Sequence, residues 1–166
     1  MPHDAPRLQP HNLDWEREVI GASLEGLAFR TEAKMLLCPE DFYFSEHQSI
    51  WAALCALPEQ VTNAYDPLPI MGWLKAQGRY WDEALADCYQ MAHECIVPGS
   101  YVKRIHWLRE LSVRRQLIAM AFAWQDACYL EPCNPTALVN IALTRLHDLK
   151  ARLAQYSTKL AGYLSE

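Results

Sequence analysis

Cys88, His93 and Cys95 form the tightest grouping of three Cys and His residues in this chain of 166 residues. A structural zinc site needs four nitrogen or sulfur ligands, in recurring spacings such as Cys-x2–4-Cys and His-x3–5-His. This spacing supplies neither, and the six cysteines (38, 55, 88, 95, 128 and 133) contain no Cys-x-x-Cys pair. Most of them lie in or beside apolar helical patterns, where a free thiol packs as a small hydrophobe. Structural cysteines in a reducing compartment are therefore expected, ahead of a zinc-dependent enzyme. Glu40, Asp41, Glu46 and His47 make a second group that could be drawn as an acid–base or metal site. Glu40 and Asp41 follow a helix-stopping Pro39, however, and Glu46 suits the first turn of the next helix. His47 is expected to make a structural hydrogen bond. A third chemistry, nucleotide hydrolysis, needs a phosphate-cradling G-x-x-x-x-G-K-[ST] loop, and none of the six glycines is followed by Lys. No catalytic, cofactor-binding or metal-binding residue is expected, and the chain is not expected to be an enzyme.

The densest basic segment is Lys103, Arg104, Arg109, Arg114 and Arg115. A solvated helix face is its plainest reading; contact with an acidic partner or a phosphate backbone is the functional one. The net charge of −5 is unevenly spread. Residues 1–100 carry 6 Lys and Arg against 15 Asp and Glu, whereas residues 101–166 carry 9 against 5. The acidic first part disfavours direct nucleic-acid binding, leaving at most a weak contribution from the second.

These residues ride on helices. Half of the residues are apolar and only six are Gly, a composition that fits one globular helical domain. Periodicity predicts helices over about 14–27, 31–37, 45–57, 66–77 and 82–94, with Pro39 and Pro58 as stops. Ser45 with Gln48 reads as a capping box. Asp66-Pro67 reads as a cap followed by a first-position proline, and Gly78 as a C-terminal cap. After a turn at Val97-Pro98-Gly99-Ser100, no Pro or Gly interrupts residues 101–130, which would span roughly 45 Å as helix. Glu131-Pro132-Cys133-Asn134-Pro135 breaks it, and a last long helix runs from Pro135 through Leu149. Two long helices with a short break predict an antiparallel hairpin. In the first of them, Trp107, Leu111, Ile118, Ala121 and Phe122 lie near one side. Val113, Leu117, Met120 and Trp124 lie on another, so this helix needs covering twice. Either the last helix covers both sides, or a second subunit takes one. The fold class is thus all-α: a bundle of about five helices followed by a long antiparallel helical hairpin. Residues 1–12 read as a flexible arm, 13–97 as the globular part, 100–149 as the hairpin and 150–166 as a helical or flexible tail.

The run Leu37-Cys38-Pro39-Glu40-Asp41-Phe42-Tyr43 leading to His47 and Ile50 resembles the "L-x-P-E-D-F-Y-x-x-x-H-x-x-I" stretch of the amino-terminal domain of DnaB-type replicative helicases. Pro10-His11 through Glu16, leading to Val19-Ile20-Gly21, is similar to that family's opening "P-H-x-x-E-A-E-x-x-V-L-G". Asp66 through Gly78 resembles its "I-D-x-x-T" helix, and Leu108-Arg109-Glu110 through Ile118 its "V-R-E-x-x-x-x-R-x-L-I" run. About 140 of the 166 residues are covered in order. There are departures: the Gly-Gly turn near Asp82 is missing, Pro67 and Pro69 stand in the "D-x-x-T" start, and Trp15 and Trp73 replace smaller or polar residues.

The resemblance implies a non-catalytic module of DNA replication whose hairpins pair into dimers, whose dimers build a ring collar, and whose collar receives primase. Any helicase activity would belong to a motor domain absent from this chain. The expected partners are a second copy, as a homodimer or larger even-numbered oligomer, and a replicative helicase or primase. No membrane and no cofactor are expected, and the cytoplasm is the default location. The expected pairing residues are Leu117, Ile118, Ala121 and Trp124 with Leu138, Ile141 and Leu146. Lys103, Arg104, Arg109, Arg114 and Arg115 are the candidates for partner or phosphate contacts. Met1 and the tail at 150–166 favour a free-standing copy over an excised domain, as in a mobile-element or phage protein that loads or inhibits a host helicase. A DNA-binding regulator is the remaining alternative.

Overall fold

The computed structural model describes residues 8–58, 66–95, 101–130 and 132–164, with side chains to residue 154. The expected turn at residues 97–100, the break at Glu131 and most of the expected arm lie outside the described residues. The chain is all-α, as expected. Its helices are α1 (Leu13–Glu25), α2 (Leu27–Leu36), α3 (Ser45–Ala56), α4 (Leu68–Ala76), α5 (Ala84–Glu94), α6 (Tyr101–Tyr129) and α7 (Pro135–Leu164), with a 3-10 turn at Pro39–Asp41. Among the described residues no helix is long and apolar enough to cross a membrane. The chain divides into two units, Met1–Ser112 and Val113–Glu166, so the division falls within α6.

In the first unit α1 packs on α5, α2 and α3. Its Val19, Ile20 and Leu24 are buried, with Ala33 and Leu36 of α2, Phe42, then Ile50, Trp51 and Leu54 of α3. Ile70 and Leu74 of α4, Cys88 and Met91 of α5, and Ile105 and Leu108 of α6 complete this core. Gly21 is the point of closest approach between α1 and α5. A Cβ there would lie 2.1 Å from the Met91 carbonyl oxygen.

Several helix ends differ from the sequence expectation, each for a local reason. α1 stops at Glu25 because Gly26 is extended, and α2 begins at once with Leu27 rather than at Thr31. The Ser45–Gln48 capping box does not form. Phe44 is the N-cap, Ser45 Oγ donates to Glu46 Oε2 and Gln48 Nε2 donates to the Phe42 carbonyl. A carboxylate from α1 serves this helix entrance instead: Glu16 accepts the Tyr43 and Phe44 amides at 2.7 and 3.4 Å. α4 starts at Leu68, whose amide bonds Asp66 Oδ1 at 3.2 Å, with Pro67 as N-cap. Its end is as expected. Gly78 has φ +65°, and Arg79 N to Leu74 O with Gly78 N to Lys75 O make a Schellman closure. α5 begins at Ala84, two residues late, behind a turn in which the Ala84 amide bonds the Trp81 carbonyl.

The second unit contains the rest of α6 and all of α7. Asn134 caps α7 as expected, accepting the Ala137 amide at 3.1 Å ahead of Pro135. Gln116, early in this unit, accepts from Arg152 Nη2 at 3.0 Å. The same region holds a hollow lined by Gln116, Ala119, Met120, Arg145, Asp148 and Arg152. A bond from the middle of α6 to a residue past the middle of α7 is the pairing that an antiparallel hairpin makes.

Candidate interaction surface

The acid–base group of the sequence turns out to be two braces. Glu16, fully buried on α1, takes His47 Nδ1 at 2.7 Å in addition to the Tyr43 and Phe44 amides. The His47 ring lies edge-on to Phe44, and His11 stacks on Tyr43 at 4.4 Å. A buried carboxylate is tolerated when its oxygens are matched by donors, and three donors meet this one. Both residues are sealed in, so neither can reach a substrate proton. The second brace is Asp41, whose carboxylate accepts the Cys38 amide at 2.9 Å and Arg109 Nη1 at 2.5 and 2.7 Å. Sequence reasoning singled out His47 and Arg109 but missed their acidic partners as anchors. Only burial distinguishes Glu16 from the exposed Asp14 and the half-buried Glu18 beside it.

The cysteines are free thiols. Cys88 is buried, and that burial pushes its thiol up to about 12. Cys38 is also pushed up to about 12, first by desolvation and then by the neighbouring Asp41 charge. Among the described residues no group of three His, Cys, Asp or Glu side chains is placed to hold a metal ion.

The basic segment does not form one free face. Arg104 pairs with Glu18 and lies over the rings of Trp15 and Trp107, which stack on each other at 4.7 Å. Arg109 is held by Asp41, with its Nε buried and unpartnered. Arg115 is buried, and Arg114 and Arg115 both have interactions of their own within the protein. Lys103 is exposed.

The hairpin unit presents apolar side chains to solvent on both of its helices. Leu117 is 42% exposed and Phe122 62% on α6, while Val139 is 57%, Ile141 47%, Leu143 51% and Leu146 39% exposed on α7. Ala121 is exposed too, and Ile118, Trp124 and Leu138 are partly covered. Among the described residues the buried Trp124 indole Nε1 has no hydrogen-bond partner. All seven residues expected to pair thus retain some exposure. Phe122, Val139 and Leu143 were not among them, although the spacings 118–122 and 139–143–146 place each on a helical stripe. Such a run of exposed aliphatic and aromatic groups is unusual for a surface that meets only water.

These features define a class: an all-α domain whose polar motif residues brace its own helices, joined to a helical hairpin with an uncovered apolar surface. The chain belongs to the DnaB-like helicase N-terminal domain family, whose model matches residues 8–106. Its fold is also that of a crystal structure of the N-terminal domain of DnaB helicase from Mycobacterium tuberculosis. That match has a TM-score of 0.72 and 20% identity, and it covers 85% of this chain and 99% of the other. At that identity the likeness establishes the fold alone. No curated protein matches the chain. What is matched in both cases is the N-terminal domain of the helicase.

Proposed function

We propose that this protein is a cytoplasmic assembly module of DNA replication that pairs through its hairpin and, once paired, binds a replicative helicase or primase. The observation that carries the reading is the exposed apolar surface of α6 and α7, present in a chain of the helicase N-terminal domain family. Burying side chains of this size releases about 1.5–3 kcal/mol each, enough for a few of them to decide a self-association. Leu117, Ile118, Ala121 and Trp124 on α6 and Leu138, Ile141 and Leu146 on α7 are the pairing residues we assign, with Phe122, Val139 and Leu143 joining them. Direct DNA binding is the weaker reading, because Arg104 and Arg109 are engaged by Glu18 and Asp41.

Light scattering across micromolar concentrations tests the pairing. The expected mass is that of a dimer or a larger even-numbered assembly. The Leu117→Asp/Leu146→Asp double variant is expected to fall to monomer while its circular dichroism stays helical. A wild-type chain that is strictly monomeric throughout would refute self-pairing. Pulldown with a replicative helicase and with primase then tests the partner assignment, and retention of neither would overturn it.

A further inference from the structure

We propose that Arg145 and Asp148 on α7 are a self-complementary charge pair that sets the register between two copies of this chain, each Arg145 meeting the Asp148 of the other copy. Both side chains are exposed, and both line the hollow beside Gln116. The third charged group of that hollow, Arg152, is already engaged, because it donates to Gln116 Oε1 at 3.0 Å. Among the described residues, the side chains of Arg145 and Asp148 have neither a hydrogen bond nor an ion pair. Arg17, Arg104 and Arg109, by contrast, each find a carboxylate within the chain. An arginine and an aspartate one turn apart on a helix can pair with each other, but the favoured order is acid before base, and here the base comes first. Two opposite charges therefore stand open on one helix.

Their spacing argues for the occupant. Ile141, Arg145, Asp148 and Arg152 follow one another at intervals of four, three and four residues, which places them in a single stripe along α7. Two identical helices that meet about a twofold axis lying across them run antiparallel and make isologous contacts: where residue i meets residue j, j also meets i. An axis level with the Leu146–His147 bond sets Arg145 against the Asp148 of the second copy. In the same register Ile141 lies against the aliphatic stem of that copy's Arg152. A stripe of one sign would repel its own copy in every register. This stripe carries its opposite charges symmetrically about its middle, so one attraction is made twice across the axis. Ile141, 47% exposed, is also one of the residues assigned to pairing, so the charges continue that apolar contact. The inference rests on hairpin pairing by a second copy and adds what fixes its register.

Light scattering and native mass spectrometry of the full chain at low ionic strength test it. Arg145→Asp sets acid against acid twice across the axis, and Asp148→Arg sets base against base. Each variant alone should dimerise about tenfold or more less tightly than the wild type. Mixed in equal amounts, the two variants regain both attractions. The heterodimer, recognised by its intermediate mass, should then exceed its statistical share and restore the wild-type affinity. The Arg145→Asp/Asp148→Arg chain should likewise dimerise as the wild type does, and added salt should shrink all of these differences. A mixture as weakly associated as its components would overturn the proposal, since that is what a role within one chain predicts. A dimeric wild type that neither variant weakens would overturn the register and leave hairpin pairing standing, whereas a strictly monomeric wild type would refute both. Were a single variant to lose its helical circular dichroism, the doubly reversed chain would decide: recovered dimerisation supports the pair, and its absence overturns it.

Discussion

Asp41 and Arg109 show what the residue scale adds to the sequence. They lie far apart in the chain, yet their ion pair joins the 3-10 turn to the first half of α6. Asp41 is fully buried and the Arg109 side chain nearly so, which makes removal of one partner worse than removal of both. Asp41→Asn is expected to cost about 3 kcal/mol, and the Asp41→Asn/Arg109→Met double variant less than the sum of the single changes, as read in urea unfolding. Glu16 holds three donors in the same way, so Glu16→Gln should destabilise by about 2 kcal/mol through mismatched amide protons. Cys88 provides a pH signature. Its thiol ionises near 9 when unfolded but only at about 12 in the fold. Between those values the unfolded chain gives up a proton that the native chain keeps, so stability present below pH 9 falls as pH rises. The slope approaches about 1.4 kcal/mol per pH unit per such thiol. Urea midpoints at pH 8 and pH 10.5 should differ by less in Cys88→Ala than in the wild type.

At the scale of the element, the helices themselves were legible and their exact entrances were not. Pro39, Pro58, Gly78 and Pro135 act through their own backbone chemistry and Asn134 through its side-chain cap, and the structure keeps each at a helix boundary. The Ser45–Gln48 box failed because Phe44 is the N-cap, so the Gln48 amide bonds the Phe44 carbonyl, while the Phe44 amide is met by Glu16 from a helix almost thirty residues earlier, which no local pattern encodes. The braces stayed hidden for the same reason: periodicity reports which face is apolar, but not which buried acid a histidine or arginine will meet. Two glycines test the distinction between local propensity and packing. Gly72 lies exposed in α4 with open space around its Cα, so Gly72→Ala should stabilise by about 0.5–1 kcal/mol. Gly21 has the same propensity deficit, but its missing Cβ is where the Met91 backbone passes. Gly21→Ala should therefore lose about 1–3 kcal/mol, because backbone must move to admit the methyl. Opposite shifts in melting temperature from one substitution type would separate the two effects in a single experiment.

For the molecule as a whole, the two units divide the work. The first unit has a filled core and internally matched charges, so its motif residues explain its own stability. The hairpin unit lacks that closure: among its described residues, Leu149 is the one buried apolar side chain, while eight large ones stand open. An element this poorly covered gains stability from whatever associates with it, and the gain grows with the concentration of the associating species. If a second copy is that species, the melting temperature should rise with protein concentration, by about 2–4 °C for each kcal/mol gained in a chain of this size. Leu143→Asp should flatten the dependence while leaving the dilute-limit value nearly unchanged, because an exposed side chain has little folded-state packing to lose. A wild-type melting temperature constant over a hundredfold range of concentration would instead assign the open apolar surface to a heterologous partner. In that case the same measurement, repeated with added helicase or primase, should restore the rise.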